Sequence, residues 1–208
     1  MKTWSVICLL FALVSSPAFA VNERSYGSFE LLGKPWFIVS MSDASSGAPS
    51  SGVSLRDGFR LEFKVVEEEI APRRFQSLWL DALTSSGANV NLQAHSEDLQ
   101  VFFDAIRGPL LEGDYLALEA QGDTTVMTIN HYEHARLDGN FLSMFVASLT
   151  DRIAPVPVLR NGLLNEIPSD DRQSLERRFM QQDVSLSRVS QTARWLRYDH
   201  GGARLSSL

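Results

Sequence analysis

The chain has 208 residues, of which 44% are hydrophobic, 10% aromatic and 21% charged, and its formal net charge is −6. This composition is typical of a globular protein and excludes a largely disordered chain or a coiled coil. The acidic balance argues against a general nucleic-acid-binding surface, which needs a basic face. The single cysteine excludes a disulfide framework and a cysteine-based zinc cluster.

Residues 1–20 have the pattern of a secretory signal. Lys2 supplies the positive start, Val6 to Val14 form a short apolar run, and Ala18-Phe19-Ala20 is a small-residue cleavage motif. The run is too short for a transmembrane helix, although an N-terminal membrane anchor is the alternative interpretation. We therefore expect cleavage after Ala20 and a periplasmic mature protein. No later apolar stretch approaches about 18 residues, so we do not expect an integral membrane protein.

Strand patterns dominate the start of the mature chain. Residues 26–41 are rich in aromatic and β-branched side chains on both sides of Gly33-Lys34-Pro35, which predicts a hairpin. Residues 42–58 are rich in serine and glycine and predict a surface loop. In residues 59–66, apolar side chains alternate with charged ones, so we expect a strand with one buried face.

Helices and a β-meander are expected next. Pro72 suits a first helical turn, and apolar side chains recur at spacings of three and four up to Ser85, which predicts an amphipathic helix. The hydroxyl of Ser96 is expected to cap a second helix. Residues 114–137 contain short apolar runs between turn signals and predict antiparallel strands. A third helix is predicted from Phe141 to about Asp151.

The composition changes near the C-terminus. Residues 158–164 predict one or two helical turns. Residues 166–208 are only weakly amphipathic: residues 170–194 are charged and rich in glutamine, and the chain ends in a tail that contains glycine and serine. This extension either packs as a helix on its own domain or serves as a docking arm that folds against a protein partner. We therefore divide the chain into a signal peptide (1–20), a globular domain (21–165) and a C-terminal helical extension with a tail (166–208).

The chain contains few patterns that indicate catalysis. It has no Gly-x-Ser-x-Gly elbow, dinucleotide-binding glycine pattern or phosphate-binding loop. His131 and His134 have a spacing that suits two metal ligands on a helix, but this segment predicts the end of a hairpin, where the two side chains diverge. We therefore predict no catalytic residue, no metal site and no cofactor.

Aromatic residues on the predicted core faces are the candidates for ligand binding. Such side chains form an ordinary core or line a cleft for an apolar ligand. We assign Phe63, Trp79 and Phe103 to the lining of a hydrophobic cleft. Arg60 is the candidate anchor for a ligand carboxylate, because a guanidinium group pairs with carboxylates in a bidentate manner. The alternative for Arg60 is a surface position on the polar face of its strand.

Three segments, in their order and spacing, connect the chain with a known family. They are Leu110-Leu111-Glu112-Gly113-Asp114, Ala135-Arg136-Leu137-Asp138-Gly139-x-Phe141 and Val158-Leu159-Arg160-x-Gly162-Leu163-Leu164. The pattern resembles the bacterial exported chalcone isomerase-like domain over roughly residues 25–165. The resemblance implies an α+β open-faced sandwich, in which a curved antiparallel β-sheet carries helices layered on one face and a ligand cleft lies between them. Predicted strands on both sides of two helices, without β-α-β alternation, favour the same class.

The resemblance also bears on activity. Plant chalcone isomerases cyclise a chalcone, whereas related fatty-acid-binding members share the fold without catalysis. The early-hairpin arginine of the enzymes has no counterpart in Leu32 to Phe37, and Leu99 to Phe103 lacks their tyrosine and asparagine. We therefore expect a periplasmic, non-catalytic binding protein for a hydrophobic small molecule such as a fatty acid. An isomerase or lyase, and a protein-interaction module acting through residues 166–208, are the alternatives.

Overall fold

The structure is a computed structural model and describes residues 24–43, 55, 57–88, 91–181 and 183–198. The predicted signal peptide and most of the predicted 42–58 loop lie outside the described residues. The strands are β1 (Ser25–Leu31), β2 (Lys34–Ser42), β3 (Arg60–Val65), β4 (Glu69–Ile70), β5 (Leu110–Leu111), β6 (Tyr115–Gln121), β7 (Thr124–Ile129) and β8 (Tyr132–Asp138). The helices are α1 (Pro72–Ser85), α2 (Ser96–Asp104), α3 (Gly139–Thr150), α4 (Pro157–Leu163), α5 (Ser169–Gln181) and α6 (Leu186–Ala193), followed by a 3-10 helix (Arg194–Tyr198).

Six strands form one antiparallel sheet in the order β1-β2-β3-β6-β7-β8, while β4 and β5 pair separately. Successive side chains of a strand point to opposite faces. The apolar side chains of β3, such as Phe63, therefore define an inner face, and its charged side chains, such as Glu62, define an outer face. In the central pairing, Phe63 lies opposite Val39 of β2 and Leu116 of β6, so the inner face is continuous across the strands.

Helices α1 to α4 contribute their apolar side chains to the core over the inner face. Pro72 is at the start of α1, and the apolar stripe predicted for this helix is buried, with Trp79 fully inaccessible. The sheet stays open, with β1 and β8 at its edges. The predicted α+β open-faced sandwich is therefore confirmed. Within the described residues, no helix is both long and apolar enough to cross a membrane.

Helix α4 approaches the sheet edge more closely than an ordinary side chain would allow. A β-carbon added at Gly162 would collide with the Cα atom of Gly27 and with the carbonyl oxygen of Tyr26. The glycine in the Leu159-to-Leu164 segment therefore has a steric role, because it lets the backbone of α4 lie directly against β1.

The predicted cap of α2 is wrong in one respect. Ser96 is the first helical residue rather than the cap, and His95 occupies the N-cap position without a side-chain capping bond. The chain is already turning before the helix, since the N–H of Ser96 donates to the Gln93 carbonyl at 3.3 Å. Glu97 and Asp98 lie in the first turn, where negative charge is favourable to the helix dipole.

The described part of the C-terminal extension packs on the rest of the chain. Phe179 of α5 is buried against Tyr26 on the outer face, with ring centroids 5.6 Å apart. Arg188 of α6 forms a buried ion pair with Asp114, at 2.6 Å between Nη2 and Oδ2. Helix α5 thus adds a layer on the face of the sheet opposite to α1–α4, and α6 is held at the start of β6.

Candidate functional site

Phe63 and Trp79, two of the residues predicted to bind a ligand, lie together at the centre of the inner core. The Trp79 ring is 5.1 Å from Phe63 of β3, 4.8 Å from Phe29 of β1 and 5.2 Å from Phe145 of α3, measured between ring centroids. Trp79 therefore contacts both the sheet and the helical layer. We call the connected rings the aromatic cluster; among the described residues its members are Phe29, Phe37, Phe63, Phe75, Trp79, Phe102, Phe103, Phe141 and Phe145.

Phe103, the third predicted aromatic residue, belongs to the edge of the same cluster. It lies on α2, 5.3 Å from Phe102 and 6.2 Å from Phe75, and its ring does not contact that of Trp79 directly but is connected to it through these neighbours. Its side chain is 8% exposed, whereas Trp79 is 0% exposed. The structure therefore brings Phe63, Trp79 and Phe103 into one apolar region, with Phe103 nearest to solvent.

The indole nitrogen of Trp79 is the unusual atom of this region. It is buried and has no hydrogen-bond partner among the described residues. A buried N–H without an acceptor costs about 1–3 kcal/mol, so native proteins usually satisfy such a group. A ligand oxygen placed inside the aromatic cluster would remove this cost. The indole N–H is a donor only, so it can hold a ligand oxygen but cannot take up a proton from one.

Arg60 is not part of the aromatic cluster. It lies on the outer face of β3, where its guanidinium forms an ion pair with Glu119 of β6 at 3.1 Å. The alternation in β3 already places Arg60 on the face opposite to Phe63. The structure therefore does not bring the predicted carboxylate anchor together with the three predicted aromatic residues.

A polar network on the outer face was not identified from the sequence. Glu62, which is 3% exposed, accepts hydrogen bonds from the Tyr115 hydroxyl and from Ser40, and pairs with Arg24 at 3.0 Å. Burial raises the pKa of Tyr115, and the neighbouring Glu62 raises it further. Burial lowers the pKa of Lys64, which lies 5.5 Å from the ring centroid of Phe179.

This outer-face network has a structural role. Its donors surround the Glu62 carboxylate, so that charge is neutralised and hydrogen-bonded within the protein. The alternation in β3 places Glu62 on the polar face, but the hydrogen bond from the Tyr115 hydroxyl to Glu62 depends on how β3 and β6 pair. Only the register, in which Lys64 lies opposite Tyr115, decides that contact.

The two histidines with metal-ligand spacing lie in different environments. His131 stacks on Tyr115 with a centroid separation of 5.8 Å, whereas His134 lies against Trp195 at 6.2 Å. Among the described residues, no group of three or more His, Cys, Asp or Glu side chains could hold a metal ion.

The fold and this site define the protein as an open-faced α+β sandwich with an aromatic interior. No family model matches the chain, and no curated protein matches it. Among solved structures, the chain is similar to the fatty-acid binding protein AtFAP1 of Arabidopsis thaliana, with a TM-score of 0.49 and 12% sequence identity. That similarity covers 73% of this chain and 87% of the Arabidopsis protein.

Proposed function

We propose that this protein is a non-catalytic binding protein of the exported chalcone isomerase-like family, and that it holds a fatty acid or similar amphiphile in the periplasm. The observation that carries the proposal is the buried, unpartnered indole N–H of Trp79 inside the aromatic cluster. The signal-peptide pattern of residues 1–20 supports the location. The segments shared with the family, in their order, support the family.

The aromatic cluster suits the apolar part of such a ligand. Pockets for small molecules are lined mainly by hydrophobic and aromatic side chains with a few polar groups that set orientation. Phe63 and Phe103 would contact the apolar chain, and the Trp79 N–H would donate to an oxygen of the ligand. Because the rings contact one another, binding requires some of them to separate, and Phe103 is the ring of the cluster that is most accessible to solvent.

Binding without catalysis fits the chemistry of these residues. Phenyl rings offer apolar surface but no acid or base, and the Trp79 N–H donates without changing protonation state. In residues 32–37 and 99–103, the sequence also lacks the arginine, tyrosine and asparagine that the resemblance implies for the isomerases. Docking of a protein through residues 166–208 is not proposed, because Phe179 of α5 and Arg188 of α6, which lie in the described part of this segment, are buried in contacts within the chain.

The proposal is tested on mature protein purified from the periplasm. Native mass spectrometry followed by lipid extraction is expected to show an acyl species in near-stoichiometric amount. The purified, delipidated protein is then titrated with oleate, followed by displacement of a fluorescent fatty acid. A clean apo mass together with no uptake of oleate would contradict the proposal. Sequencing of the mature N-terminus tests export separately, with Val21 expected as the first residue.

The indole N–H of Trp79 is the proposed donor to the ligand, and it can be removed by a single substitution. Trp79→Phe keeps an aromatic ring and removes the N–H, and we expect its affinity for oleate to fall at least about tenfold, since hydrogen bonds to charged groups contribute about 1.5–3 kcal/mol. Trp36→Phe is the matched control, because Trp36 also has an unpartnered Nε1 but lies outside the ring contacts of the cluster, near Lys34 and Arg74. Equal loss of affinity in both variants would refute the role of Trp79.

A further inference from the structure

The turn between β1 and β2 exposes apolar side chains at the end of its hairpin. Leu31 pairs with Lys34, so Leu32 and Gly33 form a two-residue turn, and the Leu32 side chain is fully exposed. A β-carbon added at Gly33 would meet nothing within 4 Å in the described part of the chain. We call residues 31–36 the hairpin tip. Its apolar residues, all partly or fully exposed, are Leu31, Leu32, Pro35 and Trp36.

Leucine is an unfavourable residue at this position of the turn. Leu32 has a φ of 54° and Gly33 a φ of 75°, so both residues lie in the left-handed region, as a type I′ turn requires. Glycine, asparagine and aspartate adopt this conformation readily, whereas a leucine is strained in it. The two-residue turn between β7 and β8 has the same pattern, and there Asn130 occupies the position that Leu32 takes. Leu32 therefore carries a conformational cost and a solvation cost, and its full exposure leaves no buried contact to offset them.

The neighbours of Leu32 suit the boundary between water and lipid. The Lys34 ammonium lies 5.0 Å from the centroid of the Trp36 ring, and the guanidinium of Arg74 on α1 lies 4.9 Å from it. Tryptophan and long cationic side chains are typical of membrane interfaces, where their apolar parts contact lipid and their polar ends reach the headgroups. Lys34 also pairs with Glu67 at 2.7 Å, and Glu68 and Glu69 follow in the chain. Apolar insertion, rather than attraction of a cationic patch to anionic lipid, would therefore supply the affinity.

We propose that the hairpin tip inserts into the surface of a phospholipid bilayer, with the Leu32 side chain among the acyl chains and Lys34 and Arg74 at the level of the headgroups. The area of the tip favours lipid over a protein partner, because a stable protein interface takes about 800 Å² from each side and a six-residue turn offers less. A bilayer needs no complementary surface, since the hydrophobic effect is non-directional. This contact goes beyond the binding of an amphiphile in the aromatic cluster and does not depend on it.

The proposal is tested by sedimentation of the mature protein with vesicles at millimolar lipid. One set of vesicles is phosphatidylcholine, and the other contains equal parts of phosphatidylethanolamine and phosphatidylglycerol. We expect the wild type to sediment reversibly with both, and Leu32→Asn to bind at least about tenfold more weakly. Asparagine suits the turn better than leucine, so Leu32→Asn should resist urea at least as well as the wild type, which separates lost binding from lost folding. The matched control is Leu186→Asn, which removes a leucine of α6 that is 86% exposed and should leave vesicle binding unchanged.

A fluorescent label reports the contact directly. Cys8 is the only cysteine of the chain, so the mature protein can be labelled at one chosen position. An environment-sensitive dye on Leu32→Cys should shift to the blue when vesicles are added, whereas the same dye on Leu186→Cys should not. Trp79→Phe should bind vesicles like the wild type, so failure of fatty-acid binding and failure of this contact are distinguishable.

Four outcomes would overturn the proposal. They are no sedimentation of the wild type, sedimentation with the anionic vesicles alone, equal affinity of Leu32→Asn and the wild type, and equal weakening by Leu186→Asn. A blue shift of the dye on Leu32→Cys that rises with protein concentration in the absence of vesicles would assign the hairpin tip to a second copy of the chain instead.

Discussion

Trp79 and His134 each contain a buried ring nitrogen without a hydrogen-bond partner among the described residues, but the two groups differ in chemistry. The indole of Trp79 is always a donor and does not titrate in the physiological range. The imidazole of His134 can gain a proton, and burial together with Arg107 opposes that gain. We therefore expect the nitrogen of Trp79 to affect ligand affinity, and the nitrogen of His134 to affect how stability depends on pH.

The folded protein should lose stability through His134 as the pH falls from about 6.5 to about 4. The pKa of His134 is about 4 in the folded state and near 6.5 in the unfolded chain. In this window the unfolded chain takes up the proton first, so acid favours unfolding. Because the side chain is only partly buried, we expect a contribution of about 1–2 kcal/mol.

This prediction is checked by urea unfolding of the wild type and of His134→Gln at pH 7 and pH 4. The difference between the two proteins isolates His134 from the carboxylates that titrate in the same range. The wild type should lose more stability than the variant over this interval. Parallel pH profiles would show that His134 makes no such contribution.

At the scale of secondary-structure elements, α6 is held by a buried ion pair and by a buried hydrogen bond from Asn130 to Thr192. The Asp114 carboxylate is fully buried and accepts bonds from Arg188 of α6, from the Asn130 side chain at 2.9 Å and from the backbone N–H of Leu111 at 2.9 Å. Arg188 also lies over the Trp195 ring, 5.5 Å from its centroid. One carboxylate thus joins the start of β6 to the C-terminal helix.

Breaking this pair should be costly. Removing one partner of a buried ion pair leaves an uncompensated charge and typically costs about 3–5 kcal/mol. We expect Asp114→Asn to lower the free energy of unfolding by this amount and to increase amide hydrogen exchange in α6 before it increases in the central strands. Urea unfolding and hydrogen exchange measured by mass spectrometry test both effects.

The control for this prediction is an exposed ion pair of the same type. Glu133 and Arg136 are 2.7 Å apart but have side chains 46% and 59% exposed, so Glu133→Gln should change stability by less than about 1 kcal/mol. The double variant Asp114→Asn/Arg188→Met should be more stable than Asp114→Asn alone, because it no longer buries an unpaired cation. Equal effects of Asp114→Asn and Glu133→Gln would contradict the role of burial.

At the scale of the whole molecule, the sheet has different coverings on its two faces. Helices α1 to α4 cover the inner face with apolar side chains, whereas α5 covers part of the outer face. Phe179 of α5 packs on Tyr26 and Ile38 there, next to the polar network around Glu62. Residues 166–198 therefore complete the burial of the domain that we predicted to end at residue 165.

Removal of the C-terminal extension should destabilise the domain. A mature chain ending at residue 165 would leave Asp114 without its cation and expose Tyr26 and Ile38, and we expect a loss of at least about 3 kcal/mol. The control is a chain ending at residue 198, which keeps α5, α6 and the 3-10 helix and should be more stable than the chain ending at residue 165. Urea unfolding compares the three proteins. Equal stability of the shortest chain would show that residues 21–165 form an independent domain.

Much of the candidate site follows from local patterns. The spacing of apolar residues in α1 places Trp79 in the core, and the alternation in β3 places Phe63 on the same side. That same alternation places Arg60 on the opposite face. The strand pattern alone therefore indicated that Arg60 and Phe63 would not contact the same ligand. The missing hydrogen-bond partner of Trp79 is a property of its surroundings and has no signal in the sequence.

The sequence by itself determined the α+β class, the strand faces and the apolar stripes of the helices, because those features depend on periodicity over neighbouring residues. Only the tertiary structure decided that Arg188 meets Asp114, 74 positions away, and that Tyr115 meets Glu62 through strand register. Such contacts join distant segments, and the pattern of residues within one segment does not identify the segment that it will contact. The extension shows this most clearly: its weak amphipathic pattern was compatible with a packed helix or a docking arm, and the ion pair and Phe179 place its described residues on the sheet.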